Sequence, residues 1–238
     1  MNKQNITMIN FLEYCNSQLK TNHQDIVDNL KHISDLIDGT ACFDPSLKAG
    51  KGSSFVIYSL QGYFKSISKS FTSYLEVGSL YGGSLCALAS SGFKGTAYGC
   101  DIFKGYYGNF NDKNYPNVSK TSEAHINVVK NNVQKMNNNN IDLHLIKGSS
   151  LDIEYQKFFQ QKNIKNLDVL YIDGLHTTEG CSADWDLYSP CVKKGGIILV
   201  DNYEMKEVQV SVNQHIMPSN KILKLGVWNN STWIGIKK

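Results

Sequence analysis

The sequence predicts an α/β fold: a mostly parallel sheet covered by helices on both faces, led by a helical segment and closed by an antiparallel hairpin. Three patterns carry that prediction. The first seventy residues hold apolar positions at helical spacing. From Ser73 onward, five short apolar runs alternate with amphipathic stretches, the pattern of parallel strands joined by crossover helices. The tail then carries two apolar runs split by Asn229-Asn230, which reads as a hairpin and inserts one antiparallel strand.

Taken in order, Ile26, Leu30, Ile33 and Ile37 mark one helix face, with Gly39 as its stop. Residues 41 to 53 read as a loop, and Val56, Leu60, Tyr63 and Ile67 mark a second helix. Ser73 to Val77 is the first strand. Ser84 to Ser91 is a helix ended by Gly92, and Thr96 to Cys100 is the second strand, ending in Asp101. A long loop from 103 to 120 carries Phe103, Tyr106, Tyr107, Phe110 and Tyr115, rings suited to stacking on a sugar or aryl group. Ile126, Val129, Val133 and Met136 form the next helix face. Ile141 to Ile146 is the third strand, and Leu151 to Gln161 a helix. Leu167 to Ile172 is the fourth strand, ending in Asp173, and Thr178 to Tyr188 is helical. Lys194-Gly195-Gly196 reads as a turn before the fifth strand, Ile197 to Val200, which ends in Asp201-Asn202. Val208, Val212 and Ile216 mark one more helix.

Composition narrows the class. A chain of 238 residues, 41% hydrophobic and 19% charged, can bury a substantial core and does not read as disordered. The net charge of +3 is spread along the chain, whereas a nucleic-acid surface clusters its lysines and arginines. The six cysteines include no CxxC pair, so neither a zinc site nor a redox pair is expected, and reduced thiols are. No run approaches the roughly 18 apolar residues of a membrane helix. A cytoplasmic protein with no membrane partner is expected.

The chemistry concentrates at strand ends. In Tyr74-Leu75-Glu76-Val77-Gly78-Ser79-Leu80-Tyr81-Gly82-Gly83-Ser84 a strand runs through glycines into a helix start, where backbone can approach a ligand. The dinucleotide fingerprint needs a glycine where Leu80 stands. That departure disfavours a pyrophosphate ligand and a nicotinamide dehydrogenase, while Glu76 suits a cationic group such as the amino end of a methionine. Asp101, 23 residues beyond Gly78, is placed to accept hydrogen bonds from both hydroxyls of a ribose. Gly148-Ser149-Ser150 follow the third strand, where an adenine would be met.

These residues, with Ile172-Asp173-Gly174-Leu175-His176, Asp184, Pro190, Gly195-Gly196 and Asp201-Asn202-Tyr203, resemble class I S-adenosylmethionine-dependent methyltransferases. Within that class the chain is similar to the branch of macrocin-type sugar O-methyltransferases and cephalosporin-hydroxylase-like proteins. The likeness covers about residues 72 to 238. It implies a Rossmann-like seven-stranded sheet of order 3-2-1-4-5-7-6, strand 7 antiparallel, with residues 1–70 as an N-terminal helical cap and 71–238 as the methyltransferase domain. The implied S-adenosylmethionine set is Glu76, Gly78, Ser79, Gly82, Gly83, Ser84, Asp101, Ile102, Ser149, Ser150 and Asp173.

The ends of the fourth and fifth strands separate reaction types. Enzymes that methylate amino groups of bases or glutamine often carry an Asn-Pro-Pro-Tyr type sequence after the fourth strand; here Asp173-Gly174-Leu175-His176 stands instead. A carboxylate and an imidazole suit deprotonation of a hydroxyl, so His176 is the expected base, with Asp173 beside it. Neighbouring strands bring Asp173, Asp201 and Asn202 together as oxygen donors for Mg²⁺ or another divalent cation. The trio resembles the metal set of catechol-type and sugar O-methyltransferases, with Asn202 where some sugar enzymes have a second Asp. The expected partner is a small-molecule or glycan acceptor, in a chain that forms a homo-oligomer. The competing readings are a nucleic-acid methyltransferase, disfavoured by the diffuse charge, and a non-catalytic protein that keeps the cofactor fold.

Overall fold

A computed structural model of the chain describes residues 8–40, 52–105, 108–109 and 120–238, without the side chains of 8–11. Tyr106, Tyr107, Phe110, Tyr115 and Cys42 lie outside the described residues.

Three helices come first: α1 (Met8–Gln18), α2 (His23–Leu36) and α3 (Ser53–Ser66). Asn22 starts α2 with a capping box, its side chain accepting from Asp25 N–H while the Asp25 carboxylate accepts from Asn22 N–H. The alternating part follows as β1 (Ser73–Val77), α4 (Gly83–Ser90), β2 (Gly95–Asp101), α5 (Ser122–Lys135), β3 (Ile141–Lys147), α6 (Ile153–Gln161), β4 (Leu167–Ile172), α7 (Thr178–Tyr188), β5 (Val192–Val200) and α8 (Lys206–Ser211). The hairpin of β6 (Ile222–Trp228) and β7 (Thr232–Lys237) closes the chain. The strands form one sheet of order β3-β2-β1-β4-β5-β7-β6. β1 to β5 pair in parallel, and β7 lies antiparallel to both β5 and β6. This is the seven-stranded Rossmann-like methyltransferase sheet that the resemblance implies.

The sheet buries both faces, so β4 reads as a continuous apolar run and all six of its residues are buried. On one face Phe55, Leu60 and Phe64 of α3, Leu85 and Leu88 of α4 and Val129 of α5 pack with Tyr74, Val169 and Leu199. On the other, Tyr155, Phe159, Trp185, Tyr188 and Val212 pack with Leu75, Leu170, Ile198 and Trp233. The helices of residues 1–70 thus share one core with α4, α5 and the sheet. Asp168, at the start of β4, ties that strand to β1: one oxygen accepts from the N–H groups of Thr72 and Ser73 at 2.9 and 3.0 Å, and Lys193 pairs with the other. None of the five described cysteines is in a disulfide. No helix among the described residues is long and apolar enough to cross a membrane.

Some local features differ from the sequence pattern. Lys194-Gly195-Gly196 is not a turn: it lies inside β5. The register with β4 shifts between Leu167 and Val169, and Gly195 has φ +79°, so the glycines form a bulge that lengthens the strand toward its start. The helix over 208–216 keeps α geometry only to Ser211 and then widens into a π turn, Val212–Ile216. Ile67 ends α3 and is 39% exposed, so it does not extend the apolar face of that helix.

One contact tests how the N-terminal helices dock. A Cβ at Gly62 would lie 1.9 Å from the carbonyl oxygen of Cys15, so α1 and α3 touch backbone to backbone there. Gly62→Ala forces α1 off α3. The expected result is a loss of about 1–3 kcal/mol, read as a lower urea midpoint with an unchanged m-value.

Candidate active site

The parallel register carries three acids to one level of the sheet. β1 pairs Val77 with Cys100 on one side and Ile172 on the other, and β4 pairs Ile172 with Val200. The next residues are Gly78, Asp101, Asp173 and Asp201. The ladder continues through them: Gly78 N–H donates to Cys100, Asp173 N–H to Val77, Asp201 N–H to Ile172, and Gly148 N–H to Asp101, all at 2.8–2.9 Å. At this edge lies a cavity of about 320 Å³, within the usual range for a small-ligand pocket. Gly78, Leu80, Asp101, Ile102, the loop Gly148–Leu151, the turn Asp173–His176 and Asp184 line it.

Asp101 is gripped by its neighbours. Its carboxylate accepts from Leu80 N–H at 2.9 Å and Phe103 N–H at 2.6 Å. Burial pushes its pKa up to about 6, and those two N–H donors restrain the rise. His125 braces the same corner. Its Nδ1 accepts from Gly105 N–H at 3.2 Å, which leaves Nε2 to donate to the Leu80 carbonyl at 2.7 Å. Phe103 is fully buried, its ring edge-on to His125 at 5.4 Å, so it is an anchor and not a stacking surface.

Glu76 does not line the cavity. It is fully buried below the glycine loop, where one oxygen accepts from Ser84 Oγ at 2.6 Å and Tyr74 OH at 2.9 Å. Its other oxygen, Oε1, has no hydrogen-bond partner. Burial raises its pKa to about 7 against the pull of the Ser84, Tyr74 and Ser79 hydroxyls. Glu76 therefore fastens β1 to the start of α4. Gly82 caps α4 at φ +85°, and Gly83 and Ser84 form the first turn. Ser79 points into the sheet: a Cβ at Gly99 would lie 2.6 Å from its Oγ. Of the expected cofactor set, Gly78, Asp101, Ile102, Ser149, Ser150 and Asp173 line the cavity, whereas Glu76, Ser79, Gly82, Gly83 and Ser84 build the loop behind it.

The β4 and β5 ends form a second polar cluster. His176 Nε2 meets Asp173 Oδ1 at 3.1 Å, and this bond raises the imidazole pKa against burial. Tyr171 OH lies 2.8 Å from Asp173 Oδ2 and 3.0 Å from Asp201 Oδ2. Ser53 Oγ, from the first residue of α3, lies 2.6 Å from Tyr171 OH and donates to Asp201 at 3.2 Å. Thr232 Oγ1 donates to the other Asp201 oxygen at 2.9 Å. Burial, then the Asp173 charge, raises the Asp201 pKa to about 7. Asn202 follows at φ +53°. Among the described residues no three His, Cys, Asp or Glu side chains form a ready metal cluster.

Sequence reasoning passed over Tyr171, Ser53 and His125. Tyr171 was within reach, since it stands two residues before Asp173 and a strand repeats its faces every second residue. Ser53 had no local signal.

A sheet of this order, parallel except for β7, with an acid-lined cavity beyond β1 and β4 where the strand order reverses, is the layout of the methyltransferase fold. A family model described as a methyltransferase domain matches residues 75–203, more than half the chain, and the chain belongs to that family. No curated protein matches it by sequence. Among solved structures it is similar to the O-methyltransferase NovP, at 15% identity and TM-score 0.59 over 82% of this chain and 83% of that one. An O-methyltransferase from Bacillus cereus, solved with S-adenosylhomocysteine, matches at 15% identity and TM-score 0.53 over 96% and 97%. The calicheamicin methyltransferase CalS11 matches at 12% identity and TM-score 0.56 over 90% and 91%. These likenesses share the fold.

The raised Glu76 pKa has a thermodynamic consequence. The folded protein takes up the proton near pH 7 and the unfolded chain near 4.5. Between those values the folded state holds more protons, so stability falls as pH rises through the window. Glu76→Gln removes this contribution. Thermal melts of the ligand-free protein from pH 5 to 8 should show a shallower decline for the variant, and parallel curves would contradict the assignment.

Proposed function

We propose that the chain is an O-methyltransferase that moves the methyl group of S-adenosylmethionine to a hydroxyl of a small molecule or sugar. The observation that supports this most is the Asp173–His176 pair on the same cavity that Asp101 and Ser150 line. The close crossing at Gly78, where a Cβ would lie 1.9 Å from the Asp173 carbonyl oxygen, fits a loop built to bring backbone against a ligand.

When bound, the cofactor supplies a methyl group already activated on a positive sulfur. The residues of this chain bind and orient. Asp101 keeps lone pairs for ribose hydroxyls beyond the two backbone bonds it accepts. Asp173, on the cavity wall, faces the cationic end, and Glu76 sits behind the glycine loop. His176 takes the proton of the acceptor hydroxyl, and Asp173 orients the ring and stabilises the charge it gains. Holding both reactants in line contributes about 7–11 kcal/mol to lowering the barrier. In this reading residues 1–70 cap the acceptor side, consistent with the reach of Ser53 to Tyr171 and Asp201.

A divalent cation is the second part of the proposal. Asp173, Asp201 and Asn202 fit Mg²⁺ by donor type, because all supply oxygen and the two carboxylates stand close enough for the Tyr171 hydroxyl to reach either. The cation would lower the pKa of a bound alcohol, which matters more for a sugar than for a catechol.

The test is methyl transfer from labelled S-adenosylmethionine to a panel of nucleotide sugars and catechols. His176→Ala should lower kcat by about 10²–10⁴ with little change in S-adenosylhomocysteine affinity. A variant at the wild-type rate removes His176 as base. Chelation should abolish turnover and added Mg²⁺ restore it; full activity after chelation removes the metal.

A further inference from the structure

His125, on α5, is fully buried behind the cavity wall, yet its one ring holds two loops that form that wall. Nε2 donates to the Leu80 carbonyl at 2.7 Å, and Nδ1 accepts from Gly105 N–H at 3.2 Å. Leu80 and Gly105 both face the cavity. Leu80 takes φ +43° and Phe103 φ +48°, left-handed conformations that are costly for a residue with a side chain. These are the two residues whose N–H groups grip the Asp101 carboxylate. Strain of this kind persists only where the surroundings hold it. Here the imidazole is the holder. It bonds the Leu80 carbonyl, meets the Phe103 ring edge-on at 5.4 Å and stacks on Tyr81 at 4.2 Å.

We propose that His125 is a positioning residue that fixes the Asp101 carboxylate through Leu80 and Phe103, and that its protonation and cofactor binding exclude each other; this rests on the S-adenosylmethionine reading. The bonding admits one protonation state. Nδ1 must stay bare to accept from Gly105, so the single ring proton sits on Nε2. A second proton, on Nδ1, would set N–H against N–H and drive the Gly105 backbone away. Burial acts in the same sense, lowering the His125 pKa below the ordinary histidine value of 6.5 while the Leu80 bond pulls the other way. The titratable groups around the ring are Tyr81, stacked on it, Asp101, joined to it through Leu80 and Phe103, and Lys104, next to Gly105 in the chain. Protonated His125 belongs to an opened corner, and the ligand selects the neutral ring. The His125 share of the affinity is therefore complete above pH 6.5 and is lost as pH falls through the midpoint of the ring, about tenfold per pH unit below it. Asp101, with a pKa of about 6, titrates nearby, so the experiment has to separate the two.

Nitrogen NMR on the full chain with isotope-labelled histidine follows His125 among the six histidines from pH 8 downward, with and without S-adenosylhomocysteine. The free protein should show a bare Nδ1 and a protonated Nε2. Ligand should move the His125 midpoint down by about one pH unit or more, because coupling between two binding events is reciprocal. The same midpoint in both states, or a ring that stays neutral in both until the chain unfolds, makes His125 merely structural and overturns the inference. Calorimetry gives a second reading. His125→Phe keeps a ring beside Tyr81 and Phe103, leaves Asp101 in place, and removes both bonds and the titration. At pH 8 it should bind S-adenosylhomocysteine about tenfold more weakly than the wild type, since two backbone groups have lost their partner. That gap should narrow as pH falls through the His125 midpoint, where the wild type loses the same hold; Asp101 titrates in both proteins and cancels. A gap that is constant with pH contradicts the proposed exclusion. Wild type that binds no S-adenosylhomocysteine at pH 8 sinks the cofactor reading and this inference together. Binding with an unmoved His125 midpoint sinks this inference alone.

Discussion

At the carboxyl edge of the sheet, the chain leaving β1 passes so near the chain leaving β4 that position 78 has no room for a side chain. A Cβ on Gly78 would lie 1.9 Å from the Asp173 carbonyl oxygen, and φ there is +86°. The glycine therefore answers two demands at once, a left-handed backbone and a backbone-to-backbone crossing. From that crossing the rest follows. The ladder runs one step past the strands, from Gly78 to Cys100 and from Asp173 to Val77, and so Asp101 and Asp173 stand on either side of the glycine loop at one height. Any widening at Gly78 would separate Asp101 from the Asp173–His176 pair.

The same crowding sets the electrostatics. Glu76, Asp101, Asp184 and Asp201 are all held above the usual carboxylate range, at about 7, 6, 7 and 7, with burial as the leading cause in each. Such groups are costly in an empty protein, because each charge has traded water for a poorer environment. A cationic ligand relieves that cost where neutral packing would not. The arrangement has the character of a binding site that sacrifices stability of the free fold, the usual direction of that compromise.

What the sequence made legible was whatever local periodicity controls. Strand alternation and the acids at strand ends identified β1 to β5, Asp101, Asp173 and Asp201, because a residue just past a parallel strand has only one edge of the sheet to occupy. The tail hairpin was legible through Asn229 and Asn230, which both take positive φ. Lys194-Gly195-Gly196 misled because a bulge and a turn ask for the same glycines, and only the register with β4 tells them apart. Glu76 was read as a cavity residue because its spacing from Gly78 is right; its burial depends on Tyr74 and Ser84 closing over it.

The cluster around Tyr171 joins parts of the chain that sequence keeps far apart. Its hydroxyl touches Asp173 and Asp201 from the sheet and Ser53 from the first turn of α3, 118 residues away. Ser53 is packed there because Phe55, two residues on, stacks on Trp228 of β6 at 5.3 Å with the ring planes 9° apart. The helix that carries Ser53 is thus clamped to the far end of the sheet before it reaches the acids. Such a joint lets the N-terminal segment vary its outer surface while its polar contact with Tyr171 and Asp201 stays fixed. An acceptor site built from those helices would inherit its distance to Asp173 and His176 from the sheet, and its selectivity from the cap.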